Sequence, residues 1–268
     1  MTRAMKPTKD DVARQFDRMS SAYAKSEGHA GGEDLDILVR FVAPTRDMRV
    51  LDVATGSGNT AVAIAGSVAS VIAIDIAPSM LERTRELATR KGLTNVTTAL
   101  MDVEALDFDD GSFDVVTSRI APHHFIDIAR GIREIARVLR PGGVFVVEDS
   151  VVPDERELDS FLNGVEKLRD PTHVRSLTAP EWTDLLASAG LAQTKTSVCR
   201  KPHGFAEWIA RAGMDDAGAD RVYAAFAAAP PAAVERFDIV YEDGRAVRFT
   251  DDKIIIRAEK TSRPLQRA

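Results

Sequence analysis

A doubly wound α/β fold with a mostly parallel sheet is predicted by three features of this 268-residue sequence. Short apolar runs of strand character alternate strictly with helical-period segments from residue 48 onward. A glycine turn, Gly56-Ser57-Gly58, follows the first run and opens a helix. Carboxylates then end the first three runs, at Asp52, Asp75 and Asp102.

The elements follow in order. Residues 8–24 read as a helix, with Val12, Phe16 and Met19 on one face, and GHAGGED breaks it before a second apolar helix over 33–43. MRVLDVA is a buried strand, NTAVAIAG a helix, SVIAIDI a strand, APSMLERTRELATRKG a helix closing on Gly92, and NVTTALM a strand. FDVVTSRI (strand), FIDIARGIREIARVLR (helix), PGGVFVVEDS (turn and strand), TAPEWTDLLASAG (helix capped by Thr178) and QTKTSVCR (strand) continue the rhythm. Right-handed crossovers then make the sheet parallel. After residue 200 come GFAEWIARAG and ADRVYAAFAAAP as helices, a hairpin turning at Asp243-Gly244, and a last strand, DKIIIRAEK. The expected division is an N-terminal helical lid (1–44), a core (45–200, with a lid insertion at 154–175) and a helical cap with a closing hairpin and strand (201–268).

Composition narrows the partners. With 44% apolar residues the chain can bury a large core, and a net charge of -6 argues against nucleic acid and against an anionic membrane surface. No run approaches the ~20 apolar residues of a membrane span, and the first residues, MTRAMKPTKDDVARQF, are charged throughout, so a cytoplasmic protein is expected. A single Cys199 excludes an internal disulfide, and the five histidines lack metal-ligand spacing, so no metal is expected. The expected partner is a small molecule, and the chain is expected to work as a monomer or homodimer.

Gly56 to Ala61 formally satisfies G-x-G-x-x-A, which suits a dinucleotide. Asp52 has the wrong sign for a diphosphate. At ~4 Å and an effective dielectric of ~20, unlike and like unit charges differ by about 8 kcal/mol in raw Coulomb terms, most of which solvent returns. Asp75, 17 residues after Gly58, is placed to take a ribose diol or to cap the helix ahead of Pro78. Asp102 ends the third strand on the same edge, as a ligand group or a turn cap. The ligand so described is adenosine-like, hydroxylated and positive.

VLDVATGSGNTAVAIA, VIAIDIAPSML, MDVEALDF, FDVVTSRIAPHHF and EIARVLRPGGVFVVED together resemble the successive motifs of class I S-adenosylmethionine-dependent methyltransferases, in the UbiE-like small-molecule branch, over roughly residues 8–200. The resemblance implies a Rossmann-like, seven-stranded, mostly parallel sheet with an antiparallel last strand and helical lid insertions. It implies methyl transfer from S-adenosyl-L-methionine, with S-adenosyl-L-homocysteine as product and no metal, to a small acceptor by O-, C- or N-methylation. A binding protein or cyclase-like enzyme of the same fold is the alternative. Position by position, it puts Asp52, Ala54, Gly56, Ser57 and Gly58 around the methionine end. Asp75 takes the ribose, Ile76 and Met80 the adenine ring, Asp102 and Val103 its amino edge; Arg119 lines the far side and Tyr23 closes over the carboxylate. Ala54 departs from the family, which has glycine there.

For the acceptor, His123 and His124 are candidate bases, and adjacency predicts that only one reaches it; packing roles are the alternative. His29, His124, His173 and Arg175 are candidate substrate contacts, with surface ion pairing the alternative for His173 and Arg175. Trp182 and Trp208 are read as core. The apolar composition of the lid points to a neutral or aromatic acceptor, and the resemblance implies a quinone-like, aromatic or secondary-metabolite one.

Overall fold

The computed structural model describes residues 6–25 and 31–261, with the side chains of 20–25 outside that description. Two helices, α1 (Lys9–Lys25) and α2 (Glu33–Val42), precede the sheet. The α/β alternation then runs β1 (Arg49–Val53), α3 (Asn59–Ala65), β2 (Ser70–Asp75), α4 (Pro78–Arg90), β3 (Val96–Leu100) and β4 (Phe113–Arg119). A 3-10 turn (Pro122–His124), α5 (Ile128–Val138), β5 (Leu139–Val151), α6 (Arg156–Arg169), α7 (Ala179–Ser188) and β6 (Leu191–Gly204) follow. Three cap helices, α8 (Phe205–Ala210), α9 (Asp216–Ala227) and α10 (Pro231–Arg236), lead to a hairpin of β7 (Val240–Glu242) and β8 (Arg245–Lys260).

The sheet order is β3-β2-β1-β4-β5-β8-β6, with β7 added on β8. Strands β1 to β5 are parallel, and β8 runs antiparallel between β5 and β6. This is the expected mostly parallel sheet, with an eighth short strand that the hairpin supplies. Asp243 and Gly244 both have positive φ, as a two-residue hairpin turn requires. The chain reverses its winding between β1 and β4, and the crevice beyond their carboxyl ends is where open α/β sheets take ligands.

Alternation along the strands sends side chains to two different cores. Leu51, Val53, Ile74, Val116, Phe145 and Val147 pack with Ile132 and Ile135 of α5 and with Trp182 and Leu186 of α7. Val50, Val71, Ala73, Val115 and Val146 pack on the other face with Leu38 of α2 and Ile64 of α3. Burial on both faces explains why β1, β2 and β4 read as apolar runs. A third core holds Leu158, Leu162 and Val165 of α6 together with Phe205, Trp208, Phe226, Phe237 and Phe249. The 154–175 lid insertion and the cap helices after residue 200 thus share one apolar interior. Trp182 and Trp208 are buried, as read. Among the described residues no helix is long and apolar enough to cross a membrane.

Candidate active site

The β1–α3 turn is held from beneath by its own neighbours. Asp52 accepts from Thr55 Oγ1 at 2.6 Å and from Thr117 Oγ1 at 2.7 Å. Thr84, on α4, donates to the Gly56 carbonyl at 2.9 Å, and the Gly56 N–H donates to Asp75 Oδ2 at 2.9 Å. Ala54 sits at φ 50, a left-handed conformation that explains glycine at this position in the family.

This anchoring leaves two of the expected residues, Asp52 and Gly58, off the lining of the cavity above the turn. Asp52 is 1% exposed and does not border the cavity above the turn; burial, against its hydroxyl partners, pushes its pKa up to about 6. Its carboxylate braces the turn through Thr55 and Thr117. Gly58 is likewise turned inward onto Thr84, whereas a Cβ on Gly56 would meet nothing within 4 Å. Gly56 is therefore the glycine whose open side faces the cavity.

That first cavity is lined by Ala54, Gly56, Ser57, Asp75, Ile76, Met80, Asp102, Val103 and Arg119, all expected there. Asp75 also accepts from the Ala77 N–H at 2.9 Å, so it both caps the turn into α4 and borders the cavity; burial raises its pKa to about 6. Asp102 Oδ1 accepts from the Glu104 N–H at 2.9 Å, and its other oxygen pairs with Lys9 of α1. Lys9 reaches Glu104 as well, at 2.7 Å. Asp17, about two turns further along α1, accepts from Ser79 Oγ at 2.6 Å, so α1 is tied down across the opening. Three carboxylates (Asp75, Asp102, Glu104) and two cations (Lys9, Arg119) border this cavity together with His124, a balance too close for charge sign to separate a diphosphate from a sulfonium. The Tyr23 side chain and His29 lie outside the described residues.

Arg119 joins a buried network. Its Nε donates to Glu148 at 2.8 Å and its Nη2 to Asp34 of α2 at 2.9 Å, and Asp34 also pairs with Lys201 of β6 at 2.7 Å. Asp34 is held well below the carboxylate range, because Arg119 and Lys201 outweigh its burial. Glu148 goes the other way: burial, opposed by Arg119 and reinforced by Asp34, pushes it up to about 7. Ionised, its Oε1 has no hydrogen-bond partner; protonated, it becomes a donor toward Asp34. A folded pKa above the ordinary 4.5 means stability that is fully present below pH 4.5 and lost as pH rises through about 7. Glu148→Gln, a mimic of the protonated form, is expected to remove that loss, a relative gain on the order of 2–3 kcal/mol at neutral pH. Urea unfolding of both proteins across pH 4 to 8 checks it; parallel profiles would refute the assignment.

A second cavity adjoins the first, and Ile120 and His124 border both. Ile120 has φ 52, a left-handed conformation that a β-branched residue rarely adopts. His123 and His124 follow on the 3-10 turn, their ring centroids 4.2 Å apart. Both border the second cavity. His173 borders it too, but Arg175 does not: its guanidinium is taken by Asp159 at 2.9 Å and Glu181 at 2.9 Å. The wall here is largely polar despite the apolar composition of the lid. Its apolar side chains are spent on the third core, and Lys253, Asp251, His203, Glu166 and Arg169 face the space. Among the described residues no group of three or more His, Cys, Asp or Glu side chains is arranged to hold a metal ion.

A sheet of this order with a glycine turn over a crevice at its carboxyl edge defines a Rossmann-like fold. The methyltransferase-domain family model matches residues 44–190, and the chain belongs to that family. It is 35% identical over 198 residues to the uncharacterized methyltransferase YcgJ of Bacillus subtilis, covering 74% of this chain and 78% of that protein. The crystal structure of YcgJ superposes with a TM-score of 0.83 over 86% of this chain and 99% of that one, at 32% identity. A demethylmenaquinone methyltransferase of Clavibacter sepedonicus is 36% identical over 162 residues, 58% of this chain and 65% of that protein.

Lys9, Glu104, Ile120 and Asp149 were not singled out from the sequence. Lys9 is one charge in a charged helix, and nothing in SRIAPHH marks Ile120 as strained.

Proposed function

We propose that this protein transfers a methyl group from S-adenosylmethionine to a small-molecule acceptor, with the donor in the first cavity and the acceptor in the second. The observation that carries the reading is the joint placement of the open Gly56 face, the Asp75 carboxylate and the Asp102 carboxylate around one space at the carboxyl edge of β1, β2 and β3. The residues fit the donor. Ala54 to Ser57 suit its amino-acid end, Asp75 its ribose hydroxyls, and Ile76, Met80 and Val103 the faces of its adenine ring. When bound, S-adenosylmethionine supplies an electrophilic methyl group. The chain's own residues position and shield: α1, pinned by Lys9 and Asp17, keeps water from the crevice, and Ile120 and His124 form the partition across which the reacting atoms are aligned.

Thermal denaturation with S-adenosylmethionine, S-adenosylhomocysteine or NADH tests the donor. At about 100 times its Kd a true ligand adds about 2.7 kcal/mol of stability. Stabilisation by both adenosyl compounds and none by NADH is expected; the reverse pattern would overturn the reading.

A further inference from the structure

The three histidines at the second cavity are not equivalent. His124 Nδ1 donates to the Thr172 carbonyl at 3.1 Å, and burial followed by the neighbouring His123 pushes its pKa down to about 4. His173 Nε2 donates to Asn163 Oδ1 at 2.9 Å, and the same two causes push it to about 3. Neither has a carboxylate hydrogen-bonded to its ring, and neither holds a proton well. His123 differs. Its Nδ1 meets Asp149 Oδ1 at 2.5 Å, and its backbone N–H donates to the other oxygen of the same carboxylate at 2.8 Å. Asp149, at the end of β5, is 1% exposed and also takes the Ser150 N–H at 2.9 Å, so it is fixed at three points. With Nδ1 committed, Nε2 is the nitrogen left for the cavity.

Several other charged or polar side chains on the wall are already paired. Lys253 Nζ donates to Ser150 Oγ at 2.6 Å and to Asp251 at 2.7 Å, His203 Nε2 meets Asp251 at 3.0 Å, and Arg169 meets Glu166 at 3.0 Å. An apolar acceptor would strip water from these groups and return no hydrogen bonds. A hydroxylated one would replace that water.

We propose that the second cavity takes a hydrophilic acceptor bearing an acidic hydroxyl, and that His123 Nε2, held by Asp149, receives the hydroxyl proton as the oxygen is methylated. The inference rests on the methyltransferase reading above. The balance is closed: oxygen forms its new bond to the methyl carbon, the donor sulfur keeps the electron pair of the bond it loses, and the proton passes to Nε2, where Asp149 stabilises the imidazolium. Asp149 is the positioning residue. Around His123 stand Asp149 from β5, His124 on its own turn, Glu166 from α6, His173 from the following loop and Lys253 from β8. Burial lowers the ring's pKa, but Asp149 outweighs it and holds the net value above 6.5. The unprotonated base is the active form, so proton abstraction rises with pH through a midpoint above 6.5.

4-Nitrocatechol is a suitable probe, because its ionised form is coloured and visible without turnover. Added to the full chain saturated with S-adenosylhomocysteine, at a pH below the probe's own pKa, it is expected to bind with its ionised fraction raised about tenfold. His123→Gln abolishes that rise, and Asp149→Asn moves its pH midpoint down, while calorimetric affinity for S-adenosylhomocysteine is unchanged in both. With S-adenosylmethionine in its place, methylation of the probe is expected to fall at least 100-fold in His123→Gln. An ionised probe in His123→Gln, an Asp149→Asn midpoint that does not move, or a probe that never binds the loaded wild-type protein would each overturn the proposal. Wild-type protein that binds no S-adenosylhomocysteine would overturn the donor reading beneath it, a result separate from those three.

Discussion

Replacing Asp75 with alanine is expected to weaken S-adenosylmethionine binding about 100-fold, the equivalent of roughly 3 kcal/mol. The carboxylate already accepts from the N–H groups of Gly56 and Ala77, each at 2.9 Å, and still borders the cavity with its remaining lone pairs. A ribose diol placed there adds two charge-assisted hydrogen bonds to an acid that burial has left short of solvation. The loss therefore has two parts. The diol loses its acceptor, and the Gly56 N–H, which fixes the open face of the turn to β2, loses its anchor. Asp75→Asn separates them, because the amide oxygen can keep one backbone N–H while the net charge is gone; an intermediate loss is expected. Isothermal titration with S-adenosylhomocysteine measures both variants. An unchanged Kd in Asp75→Ala would put the ribose elsewhere.

The strand and helix alternation was legible because β1, β2 and β4 are buried on both faces and read as apolar runs, and because Thr178, Gly92 and Asp243-Gly244 carry the local chemistry of caps and turns. The cavity-lining set from Ala54 to Arg119 was legible too, because parallel strands deliver successive strand ends to one edge. The burial of Asp52 was not legible. The sequence shows a carboxylate next to a glycine turn but not its depth, and Thr55 and Thr117 supply the hydrogen bonds that let it be buried. The polar wall of the second cavity was hidden in a similar way. Composition averages over both faces of a helix, so the apolar residues of α6, α8 and α9 hid the fact that Glu166, Arg169 and Glu207 point to the second cavity. Arg175 carried no positional signal at all: its partners Asp159 and Glu181 lie on two different helices.

Gly58→Ala is expected to cost about 3 kcal/mol of folding stability and to take donor binding with it. Gly58 has φ 84, where any Cβ crowds the backbone, and the added carbon would lie 2.7 Å from Thr84 Cγ2, 2.8 Å from its Oγ1 and 3.0 Å from its Cα. Thr84 cannot swing aside freely, since its hydroxyl is bonded to the carbonyls of Gly56 and Met80, and its main chain is fixed in α4. Either the β1–α3 turn lifts or α4 shifts, and both move Gly56 away from Asp75. Gly56→Ala is the informative comparison: its φ of 55 carries a similar conformational cost, but its Cβ enters open space. It should therefore destabilise less than Gly58→Ala while interfering with the ligand directly. Adding Thr84→Ala to Gly58→Ala relieves the clash with the threonine hydroxyl and methyl but not the clash with the helix backbone. Partial recovery is therefore expected, with an interaction energy of about 1 kcal/mol in a double-mutant cycle. Equal urea midpoints for Gly56→Ala and Gly58→Ala, or strict additivity with Thr84→Ala, would show that packing between the turn and α4 is not what sets the shape of the donor site.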